Sequence, residues 1–96
     1  MSSDDAQELS VFRKRIDALD DQIVMLVAER LAVCAEVGRF KAKHGMAVMQ
    51  PDRVHAVKDR NPKRGEGAGL RPDFTHALYG LIIDEACALE NEIVDG

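Results

Sequence analysis

The fold is decided by residues 9–40, which read LSVFRKRIDALDDQIVMLVAERLAVCAEVGRF. Apolar side chains recur through this segment at alternating intervals of three and four residues, and one arginine interrupts them. The series is Leu9, Phe12, Ile16, Leu19, Ile23, Leu26, Arg30, Val33, Val37 and Phe40. This repeat is typical of a helix with one continuous apolar seam. We therefore expect a long helix from about Asp5 to Lys43, with Gly45 as the left-handed residue that ends it.

The remainder of the chain contains two further helix starts. Pro51 and Pro72 each precede an aspartate, and proline fits the first position of a helix because its missing N–H has no partner there. We expect the second helix to be short, because Asn61-Pro62 should end it, and residues 63–69 to form a flexible loop. The sequence thus predicts an all-α fold in one domain, residues 1–96, with long, short and medium helices in that order.

The long helix carries more apolar surface than the other two can cover. Its seam extends about 48 Å from Leu9 to Phe40, whereas the third helix extends about 34 Å. A monomer would leave a long apolar stripe in water, which soluble proteins avoid. Pairing of the long helices of two chains removes the stripe, so we expect a homodimer. The alternative is a compact monomeric three-helix bundle.

The composition argues against several classes of protein. The formal net charge is −4, and an acidic chain is poorly suited to nucleic acid, whose phosphates need cations. There is no apolar signal segment and no apolar run of membrane-spanning length, so we expect a cytoplasmic protein. Cys34 and Cys87 are too few for a disulfide scaffold and are interpreted as reduced core residues. His44, His55 and His76 lack the spacing of a metal site, so we expect them at the surface and expect no metal.

Arg30 and Lys41 form a candidate anion site. Arg30 lies inside the apolar seam, where a cation needs an anionic partner. Two interpretations stay open, namely a buried ion pair with Asp84 or Glu85, and the carboxylate of a ligand. Lys41 follows close to three helical turns later, so both side chains project from nearly the same face, about 16 Å apart. A small anionic molecule could be held between them.

Three other charged residues are distinctive by position. Arg13 lies about 25 Å from Arg30 along the helix, but antiparallel pairing of two chains would bring it toward Arg30 and Lys41 of the other chain. Arg53 occupies the first turn of the second helix, where the helix dipole disfavours a cation unless an anion is bound there. Glu90 lies at the edge of the apolar face of the third helix, where most carboxylates are in water.

Five short motifs follow one another along the chain. They are Phe12-Arg13-x-x-Ile16-Asp17-x-Leu19-Asp20, Ala28-Glu29-Arg30, Val37-Gly38-Arg39-x-Lys41, Pro51-x-Arg53-Val54 and Leu78-Tyr79-x-x-Ile82-Ile83. In this order and spacing the chain resembles the all-helical chorismate mutases over about residues 8–94. The resemblance implies an intertwined homodimer with active sites shared between the chains. It also implies an isomerase without a cofactor, which catalyses the Claisen rearrangement of a chorismate-type diacid.

The resemblance implies a role for each candidate residue. Arg13 of the partner chain and Arg30 would bind the two carboxylates of the substrate, and Arg53 would assist near them. Lys41 would donate to the ether oxygen, and Glu90 would face the same oxygen. Gln50, Val54 and Ala86 would complete the substrate pocket. Fixed cations in a dry pocket suit this reaction, because it must hold a flexible diacid and stabilise charge that grows on the ether oxygen.

The carboxylate of Glu90 would repel that growing charge. We therefore expect Glu90 to act only when it is protonated, so that turnover of chorismate rises as the pH falls.

Gln50 and Val54 depart from the typical family pattern. Chorismate mutases usually carry an acidic residue and a Glu at these positions, and both contact the C4 hydroxyl of the ring. The chain is most similar in motif to the 4-amino-4-deoxychorismate mutases, which belong to antibiotic pathways, so 4-amino-4-deoxychorismate is the favoured substrate. Chorismate is the alternative, followed by an isochorismate pyruvate lyase, which shares the Arg53-Val54 pair. A helical dimerisation module without catalysis is the alternative from another class.

Overall fold

A computed structural model describes residues 3–96, and this part of the chain folds into α-helices without a strand. Helix α1 comprises Ser3–His44, α2 comprises Pro51–Gly67 and α3 comprises Pro72–Asp95. The expected order of a long, a short and a medium helix is confirmed, as are the proline starts of α2 and α3. None of the helices in residues 3–96 combines the length and the apolar character that a membrane crossing requires.

The end of α1 follows the glycine signal in the sequence. Gly45 has a φ of +64°, which glycine adopts without strain. The N–H of Met46 then donates to the carbonyl of Lys41 at 2.9 Å, which is the six-to-one bond of a Schellman motif. The backbone at the start of the connection to α2 is therefore held by a hydrogen bond to the carbonyl of Lys41.

Helix α2 is longer than expected, and the prediction that Asn61-Pro62 ends it is wrong. Pro62 lies inside the helix, and the Asn61 side chain donates from Nδ2 to the Val57 carbonyl at 3.0 Å. The helix ends instead at a second Schellman motif, in which Gly69 has a φ of +87° and the Leu70 N–H donates to the Gly65 carbonyl at 2.8 Å. Residues 63–67 are thus helical, and the predicted flexible loop is reduced to a short turn.

Packing of α2 on α3 explains why the helix continues past the proline. Gly65 is buried, and a Cβ added there would lie 2.8 Å from Oγ1 of Thr75. Such close approach of two helices contributes contacts that a helix ending at Asn61 would lose, and they offset the hydrogen bond that proline removes.

The chain divides into two units, residues 3–30 and residues 31–96. The second unit contains the buried residues of the described chain, which are Gly38, Val57, Gly65, Thr75, Ile83, Ala86 and Glu90. Cys34 and Cys87 also belong to it and are not joined in a disulfide, but they are half-buried and not part of this core. His44, His55 and His76 are exposed, as expected.

The first unit is a single stretch of α1 with an exposed apolar stripe. Phe12, Ile16, Leu19, Ile23 and Leu26 are each between 55% and 63% exposed. These five residues, which we call the α1 stripe, are the N-terminal part of the seam that the sequence predicts.

Candidate active site

The centre of the candidate site is a part-buried ion pair between Lys41 of α1 and Glu90 of α3. The Nζ atom of Lys41 lies 2.8 Å from Oε1 of Glu90, and the two side chains are 12% and 8% exposed. The residues are 49 positions apart in sequence, so the fold and not local structure brings them together. A charge buried to this degree is tolerated only when it is paired, and the short contact supplies that pairing.

Gly38 allows this contact to form. A Cβ at Gly38 would lie 3.2 Å from Cγ and 3.3 Å from Cα of Glu90, so α1 and α3 approach closely there. Gly38 precedes Lys41 by three residues and therefore shares its face of α1. Sequence reasoning missed this role, although a glycine inside an otherwise strong helix, one turn before a candidate residue, is a usable signal.

The segment between α1 and α2, residues 45–50, supplies a second acceptor to Lys41. Nζ donates to the backbone carbonyl of Val48 at 2.8 Å. Gln50 closes the same segment, because its Nε2 donates to the carbonyl of Ala47 at 2.8 Å. Acceptors among the described residues thus bind two of the three N–H donors of the ammonium.

Cys87 lies in the electrostatic field of this pair. Burial raises the pKa of the Cys87 thiol, and the Glu90 carboxylate raises it further, while Lys41 lowers it. Asp84 and Cys34 add smaller effects that raise the pKa. The thiol is therefore neutral near pH 7, and Cys87 is unsuited to be a nucleophile. A fixed ammonium is instead suited to bind an oxygen on which negative charge develops.

The remaining expected site residues differ in exposure. Ala86 is buried one turn before Glu90 on α3, and Val54 is half-buried in the first turn of α2. Arg53, beside Val54, is exposed. Arg13 is exposed and Arg30 is half-buried, and both belong to residues 3–30. The structure therefore brings together Lys41, Glu90 and the segment that ends in Gln50.

A separate groove lies between the C-terminal half of α2 and the start of α3. Its volume is about 310 Å³. It is lined by Lys58, Asp59, Pro62, Lys63, Glu66, Pro72, Asp73 and His76. Charges of both signs alternate there, and Lys63 pairs with Asp59 at 3.1 Å on an exposed surface. The groove contains none of the expected site residues and has the character of an ordinary solvated face. Within residues 3–96, no cluster of His, Cys, Asp and Glu is arranged to hold a metal ion.

Comparison with known proteins gives consistent matches over most of the chain. The family model described as chorismate mutase type II matches residues 12–91. A 4-amino-4-deoxychorismate mutase of Streptomyces venezuelae is 37% identical over 87 residues, which are 91% of this chain and 84% of that protein. A protein of the same name from Streptomyces pristinaespiralis is 36% identical over 84 residues, which are 88% of this chain and 65% of that protein. A chorismate mutase of Methanocaldococcus jannaschii is 25% identical over 89 residues.

Proposed function

Because the chain belongs to the type II chorismate mutases, and is therefore an isomerase, we propose that it rearranges a chorismate-type diacid without a cofactor. The family expected from the motifs is thereby confirmed. The favoured substrate is 4-amino-4-deoxychorismate, which would give 4-amino-4-deoxyprephenate. The observation that carries the proposal is the part-buried Lys41 ammonium, which donates to Glu90 and to the Val48 carbonyl and keeps one donor for the substrate.

The proposed chemistry needs a positioned cation and no nucleophile. In the rearrangement one C–O bond breaks while one C–C bond forms, and negative charge grows on the ether oxygen. Lys41 donates to that oxygen, and because its ammonium is already held in place, little reorganisation is needed as the bond breaks. The half-buried and exposed arginines, Arg30, Arg53 and Arg13 of a partner chain, bind the carboxylates and keep the diacid in its reactive conformer.

The carboxyl group of Glu90 has two oxygens, so it can contact Lys41 and the ether oxygen of the substrate at the same time. Oε1 accepts from Lys41. When Glu90 is protonated on Oε2, it keeps that bond and donates from Oε2 to the ether oxygen. When Glu90 is ionised, its charge opposes the charge that grows on the ether oxygen. The proposal therefore includes turnover that does not fall when the charge of Glu90 is removed and its shape is kept.

The preference for the amino substrate is supported by the orientation of the Gln50 amide. One N–H of its Nε2 donates to the Ala47 carbonyl, so the second N–H and the acceptor Oε1 can contact a substrate. An acceptor at this position suits a ring substituent that is rich in N–H donors, such as an amine at C4. Val54 supplies no polar group for a C4 hydroxyl. The names of the two Streptomyces relatives agree with this preference.

The α1 stripe supports a homodimer as the working form. Five large apolar residues on one helix face are more than half exposed in the single chain. We propose that the long helices of two chains cover them and that each chain contributes Arg13 to the site of the other. Each site would then consist of residues from both chains.

A turnover assay with three substrates tests the proposal. Purified protein is supplied with 4-amino-4-deoxychorismate, chorismate or isochorismate, and the products are separated by chromatography. We expect the highest kcat/KM with the amino substrate. A preference for chorismate would leave the mutase assignment but remove the substrate assignment, and pyruvate release from isochorismate would identify a lyase.

A matched pair of lysine variants tests whether the site is catalytic. Lys41→Met should lower turnover by about 10²- to 10³-fold, the usual effect of losing one donor to a developing oxyanion. Lys63→Met is the control, because Lys63 also pairs with a carboxylate but on an exposed surface. Equal activity of both variants, or no turnover of any of the substrates by the unmodified protein, would favour a dimerisation module without catalysis.

A further inference from the structure

We propose that Gln50 is a positioning residue for Lys41, which it holds in place through the backbone of residues 45–50. The expected effect of Gln50 on turnover rests on the proposed function. Its effect on the position of Lys41 does not. The relevant contacts are the bond from Gln50 Nε2 to the Ala47 carbonyl and the bond from Lys41 Nζ to the Val48 carbonyl. Both bonds are 2.8 Å long, and their acceptors lie on consecutive residues.

The position of the Val48 carbonyl depends on the path of this connecting segment. Its first end is fixed, because Gly45 is left-handed and the Met46 N–H returns to the carbonyl of Lys41. Its second end is fixed by Pro51, whose φ is restricted. Between these ends, the backbone accepts one side-chain bond from Lys41 itself and one from Gln50. The Ala47 carbonyl belongs to the peptide that links Ala47 to Val48, so holding it restricts the torsions that aim the Val48 carbonyl at Lys41.

The side chain of Gln50 does not cap α2, although Gln50 occupies the N-cap position. Gln50 is the N-cap residue of α2, where a side chain ordinarily accepts from a free N–H of the first turn. Gln50 makes no such capping bond and donates backward into the connecting segment. The arrangement leaves α2 without a side-chain cap, but it adds a fixed acceptor for the ammonium of Lys41.

The donor is the feature of Gln50 that matters here. A glutamate of the same shape has no N–H to offer the Ala47 carbonyl, and its charge would repel that oxygen. Gln50→Glu keeps an acceptor for the substrate but removes the donor, and Gln50→Met removes both. If Gln50 acts only by contacting the substrate, these variants should differ. If it positions Lys41, both should disturb Lys41 even before a substrate is bound.

Lysine acylation in the absence of substrate measures this directly. The full chain and its variants are treated with a small amine-reactive acetylating reagent, and the rate at each lysine is followed by mass spectrometry. In both variants we expect acylation of Lys41 to be about threefold to tenfold faster, in line with the loss of one hydrogen bond. The rate at exposed Lys63 should stay unchanged and serves as the internal reference. Gln7→Glu, at an exposed residue of α1, is the control for the change in charge.

Kinetics with the preferred substrate provide the second measurement. A positioning role should lower kcat by a similar factor in both variants. KM should stay nearly unchanged in Gln50→Glu, which keeps the acceptor for the substrate, and should rise in Gln50→Met, which removes it. Acylation of Lys41 at the normal rate in both variants would overturn the proposal, and a change in KM alone would show that Gln50 acts by touching the substrate. If the unmodified protein turns over none of the substrates, the proposed function fails, whereas the acylation rates still decide the structural role of Gln50. Circular dichroism shows whether each variant retains its helices.

Discussion

Lys41 and Glu90 approach to 2.8 Å at a place where both side chains are largely removed from solvent. A pair of this kind can be purely structural, because removal of one partner would leave the other charge buried and unpaired. It can also be catalytic, because a part-buried ammonium is already fixed for a substrate oxygen. The two interpretations differ in what happens when the charge of Glu90 is removed while its shape is kept.

Glu90→Gln tests the role of that carboxylate. The amide keeps an oxygen for Lys41 and offers an N–H to the ether oxygen at every pH, so it mimics protonated Glu90. We expect turnover of the variant at pH 7 to be at least that of the unmodified protein, because its N–H replaces a charge that opposes the charge growing on the ether oxygen. The measurement is kcat/KM at this pH for both proteins. A fall in turnover of Glu90→Gln contradicts the proposal.

Gly38→Ala tests the close approach of α1 and α3. Alanine favours a helix more than glycine does, by about 0.5–1 kcal/mol, but its Cβ would lie 3.3 Å from the backbone Cα of Glu90. Overpacking against backbone costs about 1–3 kcal/mol, so we expect a net loss of about 1 kcal/mol in the free energy of unfolding. Turnover should fall as well, because Glu90 must shift away from Lys41. Denaturant unfolding and kcat measure the two effects.

Gly80→Ala is the matched control for Gly38→Ala. Gly80 lies inside α3, and a Cβ there would meet no atom within 4 Å among residues 3–96, apart from its chain neighbours and the backbone of its own helix. The gain in helix propensity should then appear alone, as a rise of about 0.5–1 kcal/mol in the free energy of unfolding. Equal effects of the two substitutions would show that Gly38 has no special role in packing.

The helix boundaries that the sequence predicts correctly are those with a local cause. A left-handed glycine ends α1 at Gly45, and prolines start α2 and α3, because the conformational preferences of these residues act within one turn. Pro62 misled the prediction for the same reason. Its local effect is real, but the contact of Gly65 with Thr75 of α3 stabilises α2 beyond it, and this contact depends on the packing of two helices. The helix ends at the left-handed Gly69, a local signal that the prediction did not use.

The sequence predicts which residues belong to the candidate site, but not the contacts between them. Lys41 and Glu90 were expected to face one substrate atom, but their direct contact depends on how α1 and α3 pack. The Val48 carbonyl has no sequence signal at all, since every residue has a carbonyl. Gln50 was expected to contact substrate, and its bond to Ala47 depends on the path of a segment that has no periodic pattern.

Cys87 provides a reporter of the charge on Glu90 that does not depend on activity. Burial raises the pKa of Cys87, and the Glu90 carboxylate contributes to the rise. Because alkylation requires the thiolate, we expect Cys87 to react more slowly at pH 8 than an unstructured cysteine peptide. Glu90→Gln should lower the pKa of Cys87 and speed the reaction, whereas Lys41→Met should raise the pKa and slow it. Iodoacetamide rates at Cys87, mapped by mass spectrometry, test both directions, and equal rates in all three proteins would contradict them.

The α1 stripe should control both the oligomeric state and the activity if two chains share each site. An aspartate at Leu19, which is 56% exposed in the single chain, would place a charge in the dimer contact. We expect Leu19→Asp to sediment as a monomer and to lose turnover, whereas the unmodified protein sediments as a dimer. Asp59→Asn, on the exposed surface of α2, should change neither property. A fully active monomer would contradict the shared site.

Mixing two inactive variants tests the shared site more directly. Arg13→Ala removes the residue that each chain is proposed to contribute to the site of its partner. Lys41→Met removes the donor that each chain contributes to its own site. In a mixed dimer one site lacks both residues and the other has both, because the intact Arg13 comes from the chain that lacks Lys41. Random exchange of equal amounts should therefore restore about a quarter of the normal turnover, since half of the dimers are mixed and half of their sites are intact. If both residues served the same chain, no site would be complete in any dimer and mixing would restore nothing.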